Sequence, residues 1–296
     1  MGGCLVACWG PGPNRTLLLG LSCLFLLACS RSAPLPPRAV ELNQAGVEAL
    51  ATGDLETADA RFALALEYSP RFVEALTNQA LVELQRGNFA RAERLLERAV
   101  RLNPDVAQPH HGLGVLAERR RRPDVASRHY AEALRVDPGF APARLNLGRL
   151  LFAAGMVEHA RSQFKRLTEV APEEALGWAG LVESLLRLGR AAEAEACLRE
   201  ARERFPDHVE LEVLAARSLI RRGRYEEAIA ALSEIALARD DNAVAALGWT
   251  AVAELALGRR QRAVWSARRA LELEPRDAVA GYALDAALGR RSAAAK

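Results

Sequence analysis

The chain has 296 residues, of which 50% are hydrophobic, 5% aromatic and 26% charged, with a net charge of +3 from 40 basic and 37 acidic side chains. Charges of both signs are interspersed, so no clustered basic face is built and nucleic acid is excluded as the expected partner. The apolar fraction is mostly alanine and leucine, the strongest helix formers, and no strand pattern survives, so an all-α protein is expected.

The first element is the apolar run Leu17 to Ala28, LLLGLSCLFLLA, preceded by Arg15. A bilayer span needs roughly 20 apolar residues, so the run is too short to cross and fits a secretory signal peptide over residues 1–28. Its end, Leu26-Leu27-Ala28-Cys29, resembles the bacterial lipobox. That resemblance implies a lipidated Cys29. Ser30 lacks the aspartate of an inner-membrane retention signal, so the expected address is the periplasmic face of the outer membrane, with release as a soluble periplasmic protein as the alternative. Residues 29–38 read as the lipidated cysteine and a proline-rich tether. Of the five cysteines, Cys4, Cys8 and Cys23 precede the cleavage point, which leaves Cys197 without a partner and reads as a small, partly buried apolar side chain.

Pro70, Pro104, Pro138, Pro172, Pro206, Asp240 and Pro275 then mark the chain at intervals of 34 residues with one step of 35. Such a period predicts stacked units rather than one globular core. Glycine recurs between two helical stretches as Gly53, Gly87, Gly155, Gly189, Gly223 and Gly258, where a left-handed cap ends the first helix. Small residues recur on the first helix at Gly46, Ala80, Gly114, Gly148, Ala216 and Ala251. On the second helix they recur at Ala58, Ala92, Ala126, Ala160, Ala194, Ala228 and Ala263, and again at Ala65, Ala99, Ala133, Ala201 and Ala270.

These columns are similar to the tetratricopeptide repeat, which implies an α-solenoid, a right-handed superhelix of helix-turn-helix units. Seven units are expected, at 39–72, 73–106, 107–140, 141–174, 175–208, 209–243 and 244–277, followed by a capping helix at 278–289 and a tail at 290–296. Departures fall at Arg121 with Pro123, at Leu167, at Val182, and in the sixth unit at Ile235 and Asp240, where a looser joint is expected. Trp178, Trp249 and Trp265 are expected to fill gaps between helices.

The same resemblance implies a concave groove lined by first helices, facing a protein partner. Its expected residues run from Asn43 and Val47 through Thr77, Leu81 and Gln85, then His111, Glu118 and Arg119, then Leu145, Arg149 and Phe152. Further along they are Glu183, Leu186 and Arg187, then Val213, Arg217, Ile220 and Arg221. An apolar middle with a row of arginines suits a peptide or helix bearing hydrophobic anchors and acidic groups. The lysine and asparagine pattern that binds chaperone tails is absent. No phosphate loop, nucleophile elbow or zinc-ligand spacing is found, so no enzyme, cofactor, metal or small-molecule substrate is expected. Lipobox and repeats together resemble the pilotin lipoproteins that assist secretin assembly for type IV pili. An adaptor in cell-wall or lipoprotein turnover that binds peptidoglycan enzymes is the alternative.

Overall fold

A computed structural model describes residues 34–237 and 241–290. The leader, Cys29, the first part of the tether, Asp240 and all but the first residue of the tail lie outside the described residues. The described residues form fifteen α-helices and one 3-10 turn, with no strand, so the fold is all-α.

The chain opens with α1 (Pro37–Ala51) and α2 (Leu55–Tyr68), then α3 (Val73–Gln85) and α4 (Phe89–Leu102), and α5 (Ala107–Arg119) and α6 (Pro123–Val136). Next come α7 (Ala141–Ala153) and α8 (Val157–Val170), then α9 (Ala175–Arg187) and α10 (Ala191–Arg204). The array closes with α11 (Val209–Arg221) and α12 (Tyr225–Leu232), a 3-10 turn at Ile235–Leu237, α13 (Asp241–Ala256) and α14 (Arg260–Leu273), and the unpaired α15 (Ala278–Ala287). Odd-numbered helices to α13 are the first helices of their units and even-numbered ones the second. Two sequence boundaries move. Pro37 and Arg38, read as tether, form the first turn of α1, where proline's fixed φ and missing N–H suit a helix start. Residues 241–243, read as the end of the sixth unit, belong to α13.

The turn within each unit is set by its glycine: Gly87 has φ 79°, and its counterparts are likewise left-handed. The third unit keeps the conformation without the glycine, since Arg121 takes φ 57° and Pro123 starts α6 directly after. A non-glycine residue there costs about 1–2 kcal/mol.

Within a unit, the small residue of the first helix does not mainly face the small residue of the second. It faces a bulky one. Phe62, Leu96, Tyr130, Phe164, Leu198 and Leu232 form a buried column at the repeat period. Size is matched unit by unit. A Cβ on Gly46 would stand 2.5 Å from the Phe62 ring and one on Gly148 2.7 Å from the Phe164 ring, and Gly114 abuts the Tyr130 ring still more closely. Where the first helix has Ala80, Ala216 or Val182, the second has leucine: Leu96, Leu232 or Leu198. Val182 is thus accommodated by its partner. The departure at Leu167, fully buried, is met by the next first helix: Gly177 leaves room for it, its missing Cβ lying 2.9 Å from Leu167 Cγ.

Units are tied to each other by two further devices. At three joints the carbonyl of the terminating proline accepts a hydrogen bond from the fourth residue of the next first helix, a different residue each time: His110 Nε2 lies 3.0 Å from Pro104 O and Trp178 Nε1 3.0 Å from Pro172 O, with Arg144 doing the same at Pro138. An arginine after the first helix also reaches back to an acid of the preceding second helix, in Arg86–Asp59 (3.0 Å), Arg120–Glu93 (2.7 Å) and Arg222–Glu195.

The sixth unit differs. Its second helix has 8 residues against 14 for its counterparts, and the 3-10 turn replaces its last turns. At the other end of the array, Ala280, Ala283 and Ala287 of α15 are buried, the first two in one cluster with Val244, Leu247, Ala251, Ala267 and Ala270, so α15 covers the last unit as a terminal cap must. No helix among the described residues is long and apolar enough to cross a membrane.

Candidate protein-binding face

Successive first helices contact each other, as in α1 with α3, α3 with α5, α7 with α9, α9 with α11 and α11 with α13, which places the expected groove residues on one helical layer. Gln85, Arg119, Arg149, Arg187 and Arg221 are exposed on it. Asn43, Leu81, His111, Glu118, Leu145, Phe152, Glu183, Arg217 and Ile220 are half-buried, and Val47 is exposed. Three expected residues are not available: Leu186 is 7% and Val213 6% exposed, both packed in hydrophobic clusters, and Thr77 is buried with its hydroxyl donating to Val73 O at 2.8 Å. At these repeat positions Leu186 and Val213 are taken into the core and the Thr77 hydroxyl into its own helix.

The arginines divide into two kinds. Arg217 is consumed internally: it forms a bidentate ion pair with Glu183 of the preceding unit, and its guanidinium lies 4.7 Å from the Trp249 ring of the following one. Arg221 Nη1 donates to Leu186 O at 3.0 Å. Both therefore bind units together. Arg119, Arg149 and Arg187 form no ion pair among the described residues. Arg149 and Arg119 act on Glu118, whose carboxyl is pushed up by burial against their pull.

Behind this patch lies a polar chain that spans two units. Asn146 Nδ2 donates to His111 Nε2 at 3.0 Å and to the Tyr130 hydroxyl at 3.4 Å, and Tyr130 is in turn bonded to Glu118. Burial holds His111 down to about 4, so its ring is neutral and free to accept from Asn146. Tyr130 thus fills the Gly114 notch with its ring, and its buried hydroxyl joins the polar chain behind the face. Sequence reading missed Asn146 and Tyr130, whereas Trp249 packs half-buried between units as expected. The meeting of Asn146 with Tyr130 depends on a separation of 16 residues that the helix pairing sets, so no local pattern signals it.

Trp178 is buried as expected, with the Arg204 guanidinium 5.1 Å from its ring, but Trp265 is 63% exposed and fills no gap. Cys197 packs half-buried against the core, and burial, with Glu200 nearby, pushes its thiol up to about 12.

One family model described as tetratricopeptide repeat matches residues 119–184 and 185–249, and a second with that description matches 43–107. Among curated proteins, cellulose synthase 1 operon protein C of Komagataeibacter xylinus is 26% identical over 191 residues, covering 60% of this chain. The chain spans only 14% of that relative's length. Among solved structures, a tetratricopeptide repeat protein of Parabacteroides merdae superposes with a TM-score of 0.61 at 17% identity, covering 86% of this chain and 100% of the other. The pilF protein of Pseudomonas aeruginosa gives a TM-score of 0.59 at 21% identity, covering 71% of this chain and 95% of the other. Likeness at these identities concerns the fold. The repeat columns, the paired helices and family matches over about two thirds of the sequence agree: the chain belongs to the tetratricopeptide repeat family, whose folds serve as protein-interaction scaffolds.

Proposed function

We propose that the protein is an envelope scaffold, anchored to the outer membrane through a lipidated Cys29 and facing the periplasm, which captures an acidic segment of a partner on its first-helix layer. The observation that supports this is the contrast among arginines. Arg217 and Arg221 are spent on neighbouring units, while Arg119, Arg149 and Arg187 stand free of ion pairs on the same face beside the half-buried apolar Leu145 and Phe152. Arginine pairs bidentately with carboxylates, and the apolar side chains supply anchoring area. The binding patch is accordingly placed on units three to five.

Replacing Arg149 and Arg187 together by glutamate is expected to abolish crosslinking to the native partner in cells while leaving helicity intact. Persistent capture would move the site elsewhere. Cys29→Ser is expected to shift the protein from the membrane to the soluble periplasmic fraction, and unchanged fractionation refutes the anchor. Within this reading, assistance to secretin assembly for type IV pili is the specific role favoured, on the combination of Leu26-Leu27-Ala28-Cys29 with tandem repeats. Normal secretin multimers in a deletion strain would exclude it, and recovery of peptidoglycan enzymes with the protein would favour the adaptor role instead.

A further inference from the structure

We infer that the joint between units six and seven carries a second docking surface, which takes a short acidic segment of a partner protein and seats one large apolar side chain of it beside Trp265. A cleft of about 560 Å³ opens there between α12 and α14 with α13 as its floor, lined by Ile229, Ala236, Leu237, Leu247 and Trp265. Its apolar rim is open to solvent, with Leu237 79% and Trp265 63% exposed. The repeat shows how unusual that indole is. At the same position of the other units stand Ala60, Arg94, Arg128, Ser162, Ala196 and Ala230, all of them exposed. A tryptophan at a solvent-facing position closes no joint of this array, and exposed aromatic side chains beside a pocket are the usual anchors of protein interfaces.

Charge selects the occupant. Arg262 and Arg269 flank the indole, the Arg269 guanidinium lying 5.9 Å from its ring, and Arg262 is 71% exposed. The carboxylate in the lining is Glu254, which is buried and faces Arg259 at 3.6 Å and Arg262 at 4.0 Å. The outward field is therefore cationic. The lining also holds Ser233, Thr250 and Ser266, and Thr250 Oγ1 and Glu254 Oε2 of the floor helix are buried without a hydrogen-bond partner. An acyl chain pressed onto such a lining would leave polar groups unpaired at a cost, whereas a peptide brings donors and acceptors of its own. An acidic peptide segment thus fits better than a lipid.

The test uses full-length protein carrying 5-fluorotryptophan, in which each indole gives its own fluorine resonance and Trp265→Phe assigns one of them. A short peptide with a central phenylalanine flanked by glutamates is expected to shift the Trp265 resonance saturably. The same peptide with lysines in place of glutamates, or serine in place of phenylalanine, is expected to bind at least about tenfold more weakly. Arg262→Glu with Arg269→Glu should reverse the charge preference, and Arg149→Glu with Arg187→Glu should leave it unchanged, which separates this surface from the first-helix layer. The inference is overturned if the glutamate peptide leaves the resonance unmoved, if both charge versions act equally, or if phosphatidylglycerol vesicles shift it while the peptide does not.

Discussion

The third and sixth units share one sequence period and solve the same packing problem with different success. In the third, Tyr130 of α6 fills the notch left by Gly114, its hydroxyl is taken up by Asn146 of the next unit, and α6 runs its full 14 residues. In the sixth, Ala216 and Leu232 make a smaller version of the same contact, but α12 stops at Leu232, and the chain crosses to the next unit through a 3-10 turn. The lesson is that the contact within a unit and the seating of that unit on its neighbour are separate achievements. Unit six has the weaker pairing of its own two helices and reaches the next unit through α12 and the 3-10 turn together.

The sharpest way to break this comparison is to empty or overfill the notch. Tyr130→Ala is expected to destabilise the protein by about 3–5 kcal/mol, as for other large aromatic truncations in a core. Gly114→Ala is expected to cost about 1–3 kcal/mol by forcing a methyl group into the ring. Adding Tyr130→Leu to Gly114→Ala recreates the alanine–leucine pair of units two and six and should recover part of that loss, so chemical denaturation of the four variants in a double-mutant cycle must show a favourable coupling. Additive effects would mean that the two residues are not packed as described.

Hydrogen exchange addresses the other side of the comparison. Amides of α12 and the 3-10 turn are expected to exchange faster than those of α6 and α8, since short helices with few buried neighbours open at low free energy. Equal protection would show that the shortened helix holds as firmly as a full-length one.

A smaller effect concerns acid. Burial would raise the Asp59 carboxyl, but hydrogen bonds from Gln79 and Arg86 outweigh it and hold it low, and Arg120 holds Glu93 low. Groups depressed in the folded state contribute stability that is present above their unfolded values, near 4, and lost as pH falls through the folded ones. These two pairs should therefore leave stability unchanged from pH 7 to about 5 and weaken it below about 4, while buried His111, neutral in the fold, makes stability fall already below about 6.5; Arg86→Met and Arg120→Met should flatten only the limb below about 4. An unaltered acid limb in the variants would remove these pairs from the account.

Much of the array was legible because helix pairing depends on residues whose size alone matters. The left-handed glycines, the alanine columns and the terminal cap could be read from spacing, and even the weakness of unit six showed in Ile235 and the extra residue. What escaped reading were jobs done by unlike residues. Histidine, arginine and tryptophan each donate to a proline carbonyl, so no residue type repeats and no column is seen. The bulky column was hidden in the same way, because phenylalanine, leucine and tyrosine vary in step with a partner on another helix. The binding face was read from family positions, which locate a side chain on the helix but not its neighbours. Leu186 and Val213 were lost to the core for that reason, and Arg217 to Glu183 and Trp249.

The size matching between first and second helices also limits how this molecule can change. Because each cavity is cut to its own plug, the seven segments are not exchangeable beads on a string: transplanting Ala80 and its helix into the third position would drive a methyl group into the Tyr130 ring. Duplication can lengthen such a chain only by copying both halves of a unit together, and drift at one half must wait for a compensating change in the other.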